Sequence, residues 1–113
     1  MIRMQIVERP GAKLFNILKR AMRSGELRTF SLKRHGTRVV HVSASGYMNW
    51  TAAEGIIACE IKSPRDVGKE WQFLSNVVGR LSDRYPDFVE SINIQLAPRA
   101  AEPATKKRKK KRR

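Results

Sequence analysis

The sequence holds a single cysteine, Cys59, and two histidines, His35 and His41. An internal disulfide is therefore excluded, and the ligands of a structural zinc site are too few. No apolar run approaches the roughly 18 residues of a membrane-spanning helix, and no signal-peptide pattern opens the chain. A phosphate-cradling glycine loop, a nucleophile elbow and a Cys-x-x-Cys pair are all missing, so neither catalysis nor a cofactor or metal is expected. Acidic residues are scarce: 10 Asp and Glu stand against 24 Lys and Arg, a net charge of +14. Such an excess of one sign calls for a polyanionic partner.

The positive charge is unevenly placed. Lys106, Lys107, Arg108, Lys109, Lys110, Lys111, Arg112 and Arg113 form an unbroken basic run. The first 105 residues hold the other 16 basic and all 10 acidic groups, so the body is itself basic, at +6. Hydrophobic residues make up 41% of the 113 positions, enough for one modest core and one domain. Residues 1–96 are expected to fold. Residues 97–105 read as an Ala/Pro linker without periodicity, and residues 106–113 as a self-repelling polybasic tail, disordered unless bound.

Within the body, Ile2 to Val7 reads as an opening strand. Pro10 suits a first helical position, and Leu14, Ile17, Leu18, Ala21 and Met22 then recur at helical spacing over Gly11 to Arg23. Ser24-Gly25 closes this helix. Leu27 to Lys33 and Thr37 to Val42 read as strands about the turn Arg34-His35-Gly36, with Val40 and Val42 sharing a face. Tyr47 to Thr51 is an optional short strand beyond these, and the apolar Ile56 to Lys62 belongs at the centre of the sheet. Ser63-Pro64-Arg65-Asp66 has the pattern of a capping box. The helix it opens carries a stripe of Val67, Trp71, Leu74, Val78, Leu81 and Tyr85, which places Trp71, Leu74, Val78 and Leu81 in the core. Ile92, Ile94 and Leu96 alternate with polar residues in a half-buried last strand. The expected fold is α+β: a mainly antiparallel sheet of four to five strands, in the order β-α-β-β-β-α-β, with two helices packed on one face.

Eight adjacent cations cannot be packed into a core. They can neutralise phosphates and release counterions, which supplies affinity without sequence choice; a run of this kind also serves as a localisation signal. In the body, Lys13, Lys19, Arg20 and Arg23 follow the outer face of the first helix, while Lys33, Arg34, His35 and Arg38 surround the first hairpin turn. If the turn lies near the helix, these residues form one patch able to straddle a nucleic-acid backbone. From Ala12 to Ala53 the only acidic residue is Glu26. Helix faces built only for solubility mix signs. Among the aromatics Phe30, Trp71 and Tyr85 read as core. Trp50, between Asn49 and Thr51, is the candidate for stacking on a base, with packing on the sheet edge as the competing role.

Glu60-Ile61-Lys62, at the end of a central strand, resembles the second half of the active site in the PD-(D/E)xK nuclease family. That resemblance implies a Mg²⁺ held by paired carboxylates. The chain departs from the pattern because no Asp lies between Leu27 and Ala53, so the metal site is not formed and an ion pair at the sheet edge is expected instead. The helix–three strands–helix order is also similar to double-stranded-RNA-binding domains and to the small Alu-domain proteins of the signal recognition particle. Leu14 to Gly36 looks like the latter in outline. The Gly-Pro-x-His loop and the Lys-Lys-x-Ala-Lys helix start of the double-stranded-RNA family are absent. The likeness implies a preference for RNA and no membership.

The expectation is a small non-enzymatic nucleic-acid-binding protein, RNA favoured over DNA, that grips the phosphate backbone with the basic helix and hairpin and with the tail. Its expected place is intracellular: cytoplasm or nucleoid in a prokaryote, nucleus in a eukaryote. The alternative is an assembly subunit that meets a protein partner, or a second copy of itself, through a sheet edge and uses the tail as an address. A degenerate nuclease fold stands third.

Overall fold

The computed structural model describes residues 1–96. The linker and the polybasic tail of residues 97–113 lie outside the described residues. Six strands and two helices follow in the order β1 (Ile2–Glu8), α1 (Leu14–Ser24), β2 (Phe30–Lys33), β3 (Arg38–His41), β4 (Tyr47–Ala53), β5 (Ile56–Lys62), α2 (Glu70–Arg84) and β6 (Val89–Leu96). All strands join one antiparallel sheet in the spatial order β2-β3-β4-β5-β1-β6. The fold is α+β with two helices, as the patterning indicates, but the sheet has six strands rather than four or five. The extra strand is β4, which lengthens from a short Tyr47–Thr51 segment to Ala53 by pairing with β5 over its whole length.

Alternation separates the two faces of the sheet. Ile2, Met4 and Ile6 of β1, Met48 and Trp50 of β4, and Ile57, Cys59 and Ile61 of β5 are aligned by register on one face and are buried. The apolar sides of both helices close over that face in a single core: Leu14, Leu18 and Ala21 from α1, and Phe73, Leu74, Val77 and Leu81 from α2. Cys59 lies in this core, where burial pushes its pKa up to about 12. Val39, opposite Leu32 and Met48, is the buried residue of β3, while Val42 is exposed and Val40 faces the other side. The expected Val40/Val42 face is thus off by one position, since register with β2 and β4 decides which side faces the helices.

Both helices start later than their sequence signals suggest. Gly11 and Lys13 adopt left-handed conformations, so the chain past Pro10 is a turn and not a first helical turn. The Glu8 carboxylate accepts the backbone N–H of Lys13 at 3.2 Å and of Leu14 at 3.1 Å, capping α1 from the end of β1. At α2, Asp66 does not cap. Its carboxylate takes the Ser45 hydroxyl at 2.6 Å and its carbonyl takes the Ser63 hydroxyl at 2.8 Å, tying the β3–β4 turn to the segment after β5. Gly46 is required in that turn, because a Cβ there would collide with the Lys62 carbonyl. Gly68, left-handed at φ 92°, donates its N–H to Glu70 and ends any helix passing through Val67.

Freed from Val67, α2 settles into a different phase from the expected stripe. Phe73 is fully buried with Leu74, Val77 and Leu81, and Val78 is only partly covered. Trp71 is 51% exposed and Val67 82% exposed. The steps 73, 74, 77 and 81 are as regular a helical face as the predicted one, and it is this face that joins the core under the sheet. On β6 the expected alternation is present, but Ile94 and Leu96 are exposed because this edge strand extends past the cover of the helices.

Phe73→Ala should cost about 3–5 kcal/mol, whereas Val67→Ala should stay within about 0.5 kcal/mol. Urea melts of the two variants check the phase of α2, and equal losses would contradict it. Cys59 should resist alkylation at neutral pH in the native protein and react at once in denaturant, because the thiolate is the reactive form. Rapid labelling of the folded chain would show that the thiol is not enclosed.

Candidate nucleic-acid interface

The basic residues of α1 lie on one side of the helix by spacing alone. Asn16, Lys19, Arg20 and Arg23 line a shallow groove along its outer surface. What tertiary structure adds is the position of the β2–β3 hairpin. Its turn sits directly against this helix: a Cβ on Gly36 would come within 3.1 Å of the Arg23 guanidinium and 3.2 Å of Lys19 Cε. Gly36 is needed for that approach as well as for its left-handed backbone. Arg34 and His35 precede it, also with positive φ of 52° and 57°, and three left-handed residues in succession make this a strained turn. It is stitched by the Thr37 N–H and hydroxyl, both donating to the Arg34 carbonyl, at 3.1 and 2.7 Å.

Trp50 holds the turn in place. Its indole Nε1 donates to the Gly36 carbonyl at 2.8 Å and its backbone N–H donates to the Thr37 carbonyl at 3.1 Å. The ring is 3% exposed and meets Phe15 of α1 edge-to-face at 4.7 Å, while Lys19 Nζ stands 5.0 Å from the Phe15 ring. Trp50 is therefore a core residue and is withdrawn from the surface where a base would stack. The polar neighbours Asn49 and Thr51 suggest an exposed ring, but alternation turns the indole to the helix side.

The turn that bears the exposed Arg34 and His35 is thus seated against the helix of Lys19, Arg20 and Arg23, while Lys33, exposed on its approach, shares the opposite face of the sheet with Arg38. Lys13 stands at the far end of α1, about three turns from Arg23. Arg38 faces elsewhere. Its guanidinium carbon lies 3.7 Å from the centre of the Tyr47 ring and its Nε donates to Asn49 Oδ1 at 3.0 Å, on the sheet face opposite the helices. His41 is on the helix side, where burial and the Arg80 charge lower its pKa below the usual value. Its Nδ1 accepts the Ser43 N–H at 3.1 Å. Lys106 to Arg113 lie outside the described residues.

The face that carries Arg38 is a site that composition does not reveal. Register aligns Lys33, Arg38, Asn49, Glu60, Arg3 and Gln95 in one row across all six strands. Thr51, Ala58, Gln5 and Asn93 form the next row. Between them runs a shallow concavity of about 300 Å³. Glu60, the residue of the nuclease-like Glu-x-Lys, stands within it and pairs with Arg3 at 3.6 Å, across the interior of the sheet rather than at its edge. Among the described residues no three His, Cys, Asp or Glu side chains gather into a metal-binding group. The alternation of Arg3 with Gln5, and of Tyr47, Asn49 and Thr51, is the sequence signal for this face; only register shows that these residues are neighbours.

Compared with known protein families, curated proteins and solved structures, the chain matches none. No helix among the described residues is long and apolar enough to cross a membrane.

Trp50→Phe keeps the ring stack but leaves the Gly36 carbonyl without its donor. A loss of about 1–3 kcal/mol is expected, together with faster amide hydrogen exchange at Gly36 and Thr37. Unchanged exchange there would mean that Trp50 does not hold the turn.

Proposed function

We propose that this is a non-enzymatic nucleic-acid-binding protein whose phosphate-gripping surface is the joint face of α1 and the β2–β3 turn. One observation carries this reading: the Gly36 turn seated against Lys19 and Arg23, which merges two separate basic segments into one patch with no acidic residue on either. Within the described residues positive charge exceeds negative, so like-charge repulsion opposes gathering these cations. The strained turn and the buried Trp50 clamp hold them together against that repulsion. Cations held in this way are an electrostatic footprint for RNA or DNA phosphates. The basic run at Lys106 to Arg113 would add affinity that does not depend on sequence.

A second reading, an assembly subunit, is favoured by the β6 edge. This edge strand exposes Ile94 at 42% and Leu96 at 60%, and an apolar edge with free backbone groups is a template for pairing. It lies at the opposite side of the sheet from the basic patch, so the two roles do not compete for one surface.

A chain ending at residue 104 retains every core residue and removes the tail as a source of binding. It should bind mixed RNA and DNA at about 50 mM salt. Replacing Arg20, Arg23 and Arg34 with glutamine should flatten the slope of log K against log salt by about 0.9 for each duplex phosphate that is no longer neutralised. Fluorescence anisotropy over a salt series measures both. A shortened chain that binds neither polymer would put the assembly reading first.

A further inference from the structure

The open face of the sheet is left unused by a patch that lies on the helix side, and its chemistry differs from that of the patch. It combines apolar surface around Ala58 with amides, hydroxyls and one ion pair: Gln5, Asn49, Thr51 and Asn93 surround the paired Arg3 and Glu60 in the concavity. Hydrogen-bonding groups of both kinds in a shallow trough suit flat ligands with donor and acceptor edges. A carboxylate at the centre disfavours phosphate there and can accept from a base amino group. At one end of the row, Arg38 is fixed in plane by the Tyr47 ring beneath it and by Asn49 beside it. A guanidinium held flat is a surface on which a base can stack. Next along that row comes Lys33, which register pairs with Arg38 and which also approaches the turn of the basic patch.

We propose that the open face, from Arg38 and Tyr47 to Gln5 and Asn93, holds the unpaired bases of a single-stranded nucleic acid whose phosphates are led to it from the basic patch. This rests on the nucleic-acid reading and adds which form of the polymer is taken and by which groups. A duplex presents phosphates outward and keeps its bases paired, so it would engage the patch alone. A single strand can lay its bases on the sheet, where stacking and edge contacts are sequence-tolerant. From β3 to β6 the row spans four strand spacings, about 19 Å, and a four-stranded sheet face can carry two or three bases.

The test uses the full chain and two labelled oligodeoxynucleotides of equal length, oligothymidine and a strand made entirely of abasic sites. Both offer the same phosphates; only one offers bases. Wild type should bind oligothymidine about tenfold more tightly. Arg38→Lys keeps the charge but loses the plane, and should abolish most of that preference with the salt slope unchanged. The double variant Gln5→Ala with Asn93→Ala, two exposed positions, should reduce it as well. Equal binding of the two strands by wild type would overturn the inference while leaving the phosphate reading intact. So would a preference that survives both variants. Failure to bind either strand at about 50 mM salt would overturn the nucleic-acid reading itself, and this inference with it.

Discussion

The indole of Trp50 is the junction on which the shape of the basic surface depends. It links β4 to α1 through Phe15 and to the β2–β3 turn through the Gly36 carbonyl, while Lys19 reaches back from Phe15 to the same glycine. Aromatic packing and one buried hydrogen bond thus close a ring of interactions around a turn that is unfavourable on its own terms. Arg34 and His35 are left-handed without being glycine, and the Arg34 cation is repelled by those of the helix. Neither cost would be tolerated in an isolated hairpin.

The same strand divides the molecule chemically. Met48 and Trp50 point to the helices and complete the core; Tyr47, Asn49 and Thr51 point away, and Asn49 and Thr51 line the open trough. A sheet covered on one face only must make its other face tolerable to water, and here amides, hydroxyls and the Arg3–Glu60 pair occupy its middle, with Lys33 and Lys62 beside Arg38 and Tyr47. The basic residues are concentrated instead where α1 meets the turn. Two surfaces of different chemistry, one for charge and one for hydrogen-bonding edges, meet at the Lys33–Arg38 pair.

Capping accounts for the points where the chain departs from its local signals. The glutamate that caps α1 comes from β1, and the aspartate placed to cap α2 is bonded to a serine in a distant turn. In each case a tertiary partner outcompetes the local one. The helix that starts at Glu70 is shorter, and it docks with Phe73 and Val77 in the core and Trp71 half in water.

By itself the sequence determined the α+β class, the central place of β5, the end of α1 at Gly25 and the segregation of positive charge, because these follow from periodicity, glycine geometry and counting. It also placed Lys19, Arg20 and Arg23 on one helix face by spacing alone, but grouped with them Lys13, Lys33 and Arg38, which lie elsewhere. Tertiary structure decided the rest. Whether the turn meets the helix, whether Trp50 is buried, and whether Asn49 neighbours Glu60 and Arg3 are questions of register and docking between segments far apart in the chain. Such relations are set by long-range packing, and no local pattern of residues contains them.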